Sequence, residues 1–328
     1  MSQSTARVEL LILGAGWTSA FLIPLLQSSG ISFAATSRNG REGTIPFSFD
    51  PSSENVERYK SLPDATTVLI TFPVTKNVGS LVGGYNKTRS GTGGGIGVNW
   101  IQLGSTGSFI QVRALCSAAS TRRVLTWKGV SEQTASWVDR HTDIKPVPRS
   151  VQETELFKHA SATVLHLAGL WGGKRNPAHW VQRIAPNKSA LAAKAGFAFC
   201  RRDLLISYLS VLLQGSLHLI HGEDVARSIL AAHRNFNKLA GQRWCLTDLR
   251  VYDWWELVSS WAPSAQDGER DVTENPRLWV KQLMGERGIR AFPRPMEQLG
   301  STLDSREFWD VVGIMPGVTL HSAVAYVA

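Results

Sequence analysis

Val8-Glu-Leu-Leu-Ile-Leu-Gly14-Ala-Gly16-Trp-Thr-Ser-Ala-Phe-Leu22 is the stretch that decides the fold. A short apolar run ends in Gly-x-Gly and passes directly into a helix-like pattern. A dinucleotide-binding β-α-β unit opens in this way. The first Gly makes the tight turn, the second lets the backbone approach a pyrophosphate, and the helix N-terminus adds amide donors and a positive dipole end. The third glycine of that pattern is missing, with Ser19 and Ala20 where it would fall. The turn alone is therefore weak evidence, and the order of strands and motifs downstream of it has to carry the reading.

Residues Leu10 to Ser37 carry no charge, as a membrane span or signal segment would not. Gly14, Gly16, Pro24, Ser28, Ser29 and Gly30 interrupt the run, however, and Glu9 stands at its head. A spanning helix needs about 20 predominantly apolar residues, so the β-α-β unit explains the interruptions and a membrane helix does not.

The first strand is read as Val8–Leu13 and the first helix as Trp17–Gln27, with Pro24 a kink point costing about 3 kcal/mol. Further strands are expected at Ile31–Thr36, Pro46–Asp50 (weakly), Thr66–Thr71, Trp100–Leu103 and Ala162–Ala168, and a helix at Ser150–Ser161. Thr66–Thr71 is β-branched and continuous, as a strand buried on both faces should be. Leu81–Val98 contains Gly83-Gly84 and Gly91-x-Gly93-Gly94-Gly95, and its glycine-rich part reads as a mobile surface loop. It lacks the preceding strand and the closing Gly-Lys-Ser/Thr of a phosphate cradle. Strands alternating with helices imply an α/β protein with a doubly wound parallel sheet. Beyond about residue 170 the pattern loosens into helices at Asp203–Leu213, Gly222–Ala232 and Asp253–Ser260, with extended pieces at Leu217–Ile220 and Arg243–Leu246. The expected organisation is a nucleotide-binding domain over residues 1–170. A smaller, mostly helical substrate region over 171–328 is interleaved with the end of the sheet.

Composition narrows the class. The chain has 328 residues, 43% hydrophobic and 19% charged, enough for a large core. Cys116, Cys200 and Cys245 are far apart, which implies neither a metal site nor a disulfide framework and suits a reducing, cytoplasmic setting. Thirty-five Lys and Arg against 26 Asp and Glu give a net charge of +9, read as a basic enzyme with anionic ligands rather than a nucleic-acid binder. Much of the excess lies from Lys174 to Arg202, where seven basic residues stand with no acid. Such a run is either a solvated face or an attractor of phosphate and carboxylate groups.

The order of motifs resembles the extended or atypical short-chain dehydrogenase/reductases, the epimerase/dehydratase-like group with a Rossmann-type fold. Gly14-Ala-Gly16 resembles the cofactor glycines. Gln102-Leu-Gly-Ser105-Thr106-Gly-Ser-Phe109 resembles the strand-five segment that carries the active-site Ser or Thr. Leu165-His-Leu-Ala-Gly169-Leu-Trp171-Gly172-Gly-Lys-Arg175 resembles the strand running into the nicotinamide-side loop, and Leu219-Ile-His221-Gly-Glu-Asp224-Val-Ala226 a segment opening a late helix. The resemblance implies a cofactor held by Gly14, Ala15, Gly16, Trp17, Thr18, Phe72, Pro73, Gly169 and Leu170. It also implies a small-molecule substrate and a homodimer.

Cofactor choice is set by the end of the second strand. NAD-selective sites place an acid there for the ribose 2′-hydroxyl. Here the residues are Thr36-Ser37-Arg38, and an Arg with a Ser hydroxyl suits a 2′-phosphate, so NADP is expected over NAD. Asp50 is read either as an adenine contact or as a turn cap.

The departure concerns catalysis. Reductases of this group use a Tyr whose pKa is lowered by a Lys four residues on. Tyr59 is followed at that spacing by Pro63, Tyr85 by Arg89, Tyr208 by Leu212 and Tyr252 by Glu256, while Tyr326 is too near the end. Around the expected helix stand Arg149 and Glu153, resembling an atypical subgroup with Arg and an acid there. The choice is between a surface i,i+4 ion pair and a contact to an anion. Ser105, Thr106 and Arg149 are the catalytic candidates, with strand-end capping the bland role for the first two. Trp171, Arg175 and His221 are the substrate candidates, His221 being also a candidate helix cap. His166 reads as a core histidine, and Trp180 and Trp244 join Trp171 as candidates for an apolar cleft. No Gly-x-Ser-x-Gly elbow or His-Glu-x-x-His occurs. Three readings stand: an NADP-dependent oxidoreductase, a redox-neutral isomerase, lyase or cyclase on the same fold, and a non-catalytic NADP-binding sensor or regulator.

Overall fold

Burial in the first strand sets the layering. In β1 (Val8–Leu13), Leu10 and Ile12 pack into one core and Leu11 and Leu13 into another. Period-two alternation with apolar residues on both faces is the signature of a strand covered on both sides. The computed structural model of the chain describes residues 7–41, 43–89, 97–109, 136–194, 214–262 and 275–323.

After β1 come α1 (Ser19–Ser28), β2 (Phe33–Ser37), β3 (Ile45–Pro46), β4 (Ala65–Ile70), α2 (Val78–Lys87) and β5 (Asn99–Ser105). Next are α3 (Pro148–His159), β6 (Ala162–Leu167), β7 (Gly169–Trp171), β8 (Leu219–His221), α4 (Gly222–Arg234) and β9 (Arg243–Leu246). Later helices are α5 (Trp254–Trp261), α6 (Pro276–Arg287) and α7 (Arg306–Val312). Seven strands form one sheet in the order β9-β6-β5-β4-β1-β2-β3, every neighbouring pair parallel. The order reverses between β1 and β4, the switch point at which open α/β sheets bind ligands. Leu22 and Leu26 of α1 share a core with Val225 and Ile229 of α4, and Val78 and Leu81 of α2 share the opposite core with Leu156 of α3. A short parallel pair, β7 with β8, runs beside the main sheet. No helix among the described residues is long and apolar enough to cross a membrane.

Four expectations change. Helix α1 starts two residues later than expected and runs on through Pro24. Both Pro24 and Ala20, whose carbonyl loses its donor, are exposed, so the missing bond falls on the solvent side of the helix and not in the core. The third strand is only Ile45–Pro46, with Phe47 N still donating to Ser37 O. Part of the expected glycine-rich loop is helix α2. Two of its three glycines serve close packing: a Cβ on Gly84 would lie 2.4 Å from the Tyr59 ring, and one on Gly79 2.7 Å from His159. Gly169–Trp171 is strand rather than loop. The rest of the glycine tract (residues 90–96), the Asp203–Leu213 helix, Cys116 and Cys200 lie outside the described residues. Cys245 is a buried free thiol.

A buried ion pair fastens the C-terminal part. Asp253 caps α5 by accepting from Trp255 N at 2.8 Å, and it accepts from Arg294 Nε at 2.8 Å and Nη2 at 2.6 Å. Arg294 also stacks 4.1 Å from the Trp255 ring centroid. Removing one partner of such a pair strands a charge in the core. Arg294→Ala is expected to lower unfolding free energy by about 3–5 kcal/mol in urea titrations; a loss under about 1 kcal/mol would contradict this account.

Candidate cofactor and substrate cleft

The glycine turn is held from both sides by threonines. Gly14 adopts φ +96°, and a Cβ there would lie 2.7 Å from Thr71 Oγ1, so only glycine fits. Gly14 N donates to Thr36 Oγ1 at 3.0 Å, and Thr71 Oγ1 donates to Gly14 O at 2.6 Å. Gly16 has nothing within 4 Å of where its Cβ would be, and it lines the cleft on both sides of the turn. Thr18 precedes α1 without a side-chain cap bond.

On the β2 side lies a cavity of about 760 Å³ bordered by Gly14, Ala15, Ser37, Arg38, Arg41, Phe72 and Pro73 among others. Ser37 is buried, and its hydroxyl is already engaged with Thr44 Oγ1 at 2.6 Å and Arg41 N at 3.1 Å. Its role is to hold the turn that presents the exposed Arg38. Arg41 was missed in the sequence, though it is a second base three residues after Arg38. Its Nη2 lies 3.4 Å from Ala15 O. Asp50 turns away into its own loop, accepting from Ser52 N and Oγ, and lines neither cavity.

On the β5–β6 side lies a second cavity of about 710 Å³. Trp17, Thr18, Ser105, Arg149, Gly169, Leu170 and Arg175 contribute to its lining. The two cavities share Gly16, Thr71 and Pro73 and form one groove over the switch point. Ser105 caps the Thr106–Ser108 turn by accepting from Gly107 N at 3.3 Å, which leaves its hydroxyl proton free to donate. Thr106 belongs to that turn and is not part of the lining.

Arg149 and Glu153 are not a surface pair. Glu153 is fully buried, with Arg149 Nε 3.3 Å away, His166 Nε2 3.4 Å away and Arg243 Nε at 4.0 Å. Arg149 also donates through Nη2 to Leu103 O. His166 Nδ1 lies 2.9 Å from Ser105 O, a carbonyl that can only accept, so this nitrogen carries the proton. Burial pushes His166 down to about 4 and Glu153 up to about 7, the latter against the pull of Arg149 and Arg243. A neutral imidazole protonated on Nδ1 presents a lone pair at Nε2, and a protonated Glu153 is the donor that suits it. His166 is thus a core histidine, as expected, but one facing an acid rather than apolar side chains alone.

An aromatic chain ties the turn to the segment after β6. Arg175 stacks 4.5 Å from the Trp17 ring centroid, and Trp17 Nε1 donates to Gly172 O at 3.1 Å. Trp17 meets Phe21 at 5.0 Å, Phe21 meets His221 at 5.5 Å, and His221 meets Trp171 at 4.6 Å between centroids. Gly172, at φ +103°, leaves room for the His221 ring, which a Cβ would approach to 2.2 Å. His221 caps α4 through Nδ1 and, like Trp171, packs behind the cavity wall without lining it. Trp180 does line it, whereas Trp244 borders a separate hollow.

No protein-family model matches the sequence, and no curated protein does. Solved structures do. An NADPH complex of yeast methylglyoxal/isovaleraldehyde reductase Gre2 superposes with a TM-score of 0.55 at 12% identity, covering 97% of this chain and 96% of that one. A Methylobacillus flagellatus protein described as an NAD-dependent epimerase/dehydratase gives 0.55 at 13% identity, with 98% and 99% covered. MoeE5 with UDP-glucose and NAD gives 0.52 at 14% identity, with 97% and 96% covered. The chain shares the Rossmann-type fold of these structures, a doubly wound parallel sheet.

Among the described residues no tyrosine lines the groove. Tyr59, Tyr85 and Tyr252 are all buried, and none of them lines either cavity. Tyr85 donates to Pro63 O, and Tyr252 to Asp248 at 2.6 Å. Tyr208 and Tyr326 lie outside the described residues. No cluster of three or more His, Cys, Asp or Glu among the described residues is placed to hold a metal.

Stability should record the Glu153–His166 pair through pH. Raising an acid from 4.5 to about 7 means that the folded state holds extra proton between those values, so this contribution is lost as pH rises. His166, lowered from 6.5 to about 4, contributes with the opposite slope. Glu153→Gln removes the first contribution only. The variant's urea midpoint, relative to the parent's, is expected to climb from pH 4.5 to pH 7. A constant gap across that range refutes the assignment.

Proposed function

We propose that the protein is an NADP-dependent oxidoreductase acting on a small organic substrate. The observation that carries this reading is the single groove at the switch point, with Arg38 and Arg41 at one end and Ser105 and Arg149 at the other. The groove suits the cofactor because a Cβ on Gly16 would project into open space where a pyrophosphate needs close approach. The amides of Ser19 and Ala20 are taken by the carbonyls of Gly16 and Trp17, so those of Trp17 and Thr18 are left to face that group. Arg38 and Arg41 would hold the 2′-phosphate through charge-assisted bonds. Phe72 and Pro73 would border the adenine ribose, and Gly169 and Leu170 the nicotinamide.

When bound, the nicotinamide supplies or accepts the hydride. The chain's own residues position and polarise the substrate. Ser105 donates a hydrogen bond to a substrate oxygen, Arg149, fixed by Leu103 O and Glu153, stabilises charge that develops there, and the proton that balances the hydride is exchanged with water. Neither residue acts as the missing Tyr does, and this favours a second reading, in which the cofactor is retained by a redox-neutral enzyme or a non-catalytic sensor.

Titration of tryptophan fluorescence with NADPH and NADH tests the proposal. Arg38→Glu is expected to weaken NADPH binding at least about tenfold, or 1.4 kcal/mol, while NADH binding changes less than about twofold. Equal losses would remove the 2′-phosphate argument, and no quenching by either nucleotide at tens of micromolar would remove the cofactor. Should NADPH bind yet no hydride leave it across a panel of carbonyl compounds, the second reading takes precedence.

A further inference from the structure

The cavity on the β5–β6 side is lined by four cationic side chains, Arg149, Lys174, Arg175 and Arg183, and among the described residues by no Asp or Glu. Arg149 is held by Glu153 and Arg175 lies over Trp17. Lys174 and Arg183 are exposed and have no acidic partner among the described residues. The charge of Arg183 is felt inside the protein: Lys194 is held below the usual lysine range by burial first and by Arg183 second. Like charges around one concave mouth repel one another and raise the local concentration of anions. The cofactor does not account for them, since its phosphates are assigned to the glycine turn and to Arg38 and Arg41 at the far end. Trp17 and Trp180 add flat apolar walls to the same cavity.

We propose that the substrate is a small organic anion whose carboxylate or phosphate is held by Lys174 and Arg183, with its apolar body against Trp180 and its reacting oxygen toward Ser105 and Arg149. Placing the reacting oxygen rests on the oxidoreductase reading, whereas binding of the anion does not.

Calorimetric titration separates the two. Phenylpyruvate, phenyl phosphate and the uncharged 4-phenyl-2-butanone are titrated into the protein with and without NADPH, and into Lys174→Ala/Arg183→Ala. At least one anion is expected to bind about tenfold or more tighter than the ketone, and the double variant is expected to lose that preference while keeping NADPH affinity within about twofold. Which anion prevails identifies carboxylate or phosphate as the recognised group. Equal affinity of ketone and anions, no saturable heat from either anion up to about 10 mM, or a preference that survives the double substitution each overturns the proposal. A double variant that loses NADPH instead assigns these cations to the cofactor, which also overturns it while leaving the oxidoreductase reading in place. Failure of NADPH to bind the parent protein removes that reading, and the titrations without nucleotide still decide the anion.

Discussion

The groove exists because one peptide turn is fastened to two neighbouring strands at once. Gly14 leaves β1 in a left-handed conformation, its amide held by a hydroxyl from β2 and its carbonyl by one from the end of β4. Thr36 stands on the β2 side of the turn and Thr71 on the β4 side, where the strand order reverses. The turn is therefore fixed relative to both halves of the sheet, and the cavities on its two sides inherit that rigidity. A looser turn would leave Arg38 and Arg149 at the ends of two independent surfaces.

Behind the substrate-side wall, electrostatics takes over from backbone geometry. Glu153 is sealed in the core beside two guanidinium groups and an imidazole, and its burial makes full ionisation costly even against the pull of Arg149 and Arg243. A protonated acid neutralises Arg149 less than a carboxylate would, and Arg149 lines the cavity. Burial of one carboxyl thus makes a cation of the cleft more effective, though the acid itself never reaches the ligand. The same helix turn on a protein surface would be self-neutralising.

Much of this was legible in the sequence where local pattern and tertiary environment agree. The Val8–Leu13 strand, the glycine turn and the Arg243–Leu246 strand declare themselves by continuous apolar residues and abrupt punctuation. Helix α2 did not, because Gly83 and Gly84 read as flexibility and Gly79 gave no signal. Two of them are instead the contact points of His159 and Tyr59, which no local rule encodes. The Arg149–Glu153 spacing was visible, but its burial depends on His166 and Arg243 arriving from two other strands. Ser37 was legible as part of the site, yet its hydroxyl turns out to be spent on Thr44 and Arg41 N. Single side chains that sit where the sheet puts them are readable; their partners are not.

The shared border of Gly16, Thr71 and Pro73 has a further consequence. A molecule long enough to occupy both cavities meets them as a two-armed ligand on a rigid frame. Once one arm is seated, the other faces its cavity at an effective concentration in roughly the millimolar range, and its translational entropy is already lost. Two fragments offered separately would each bear that loss alone. The avidity of the groove is therefore a property of the tether between the halves, and cutting a dinucleotide at its middle would weaken it far beyond the contacts removed.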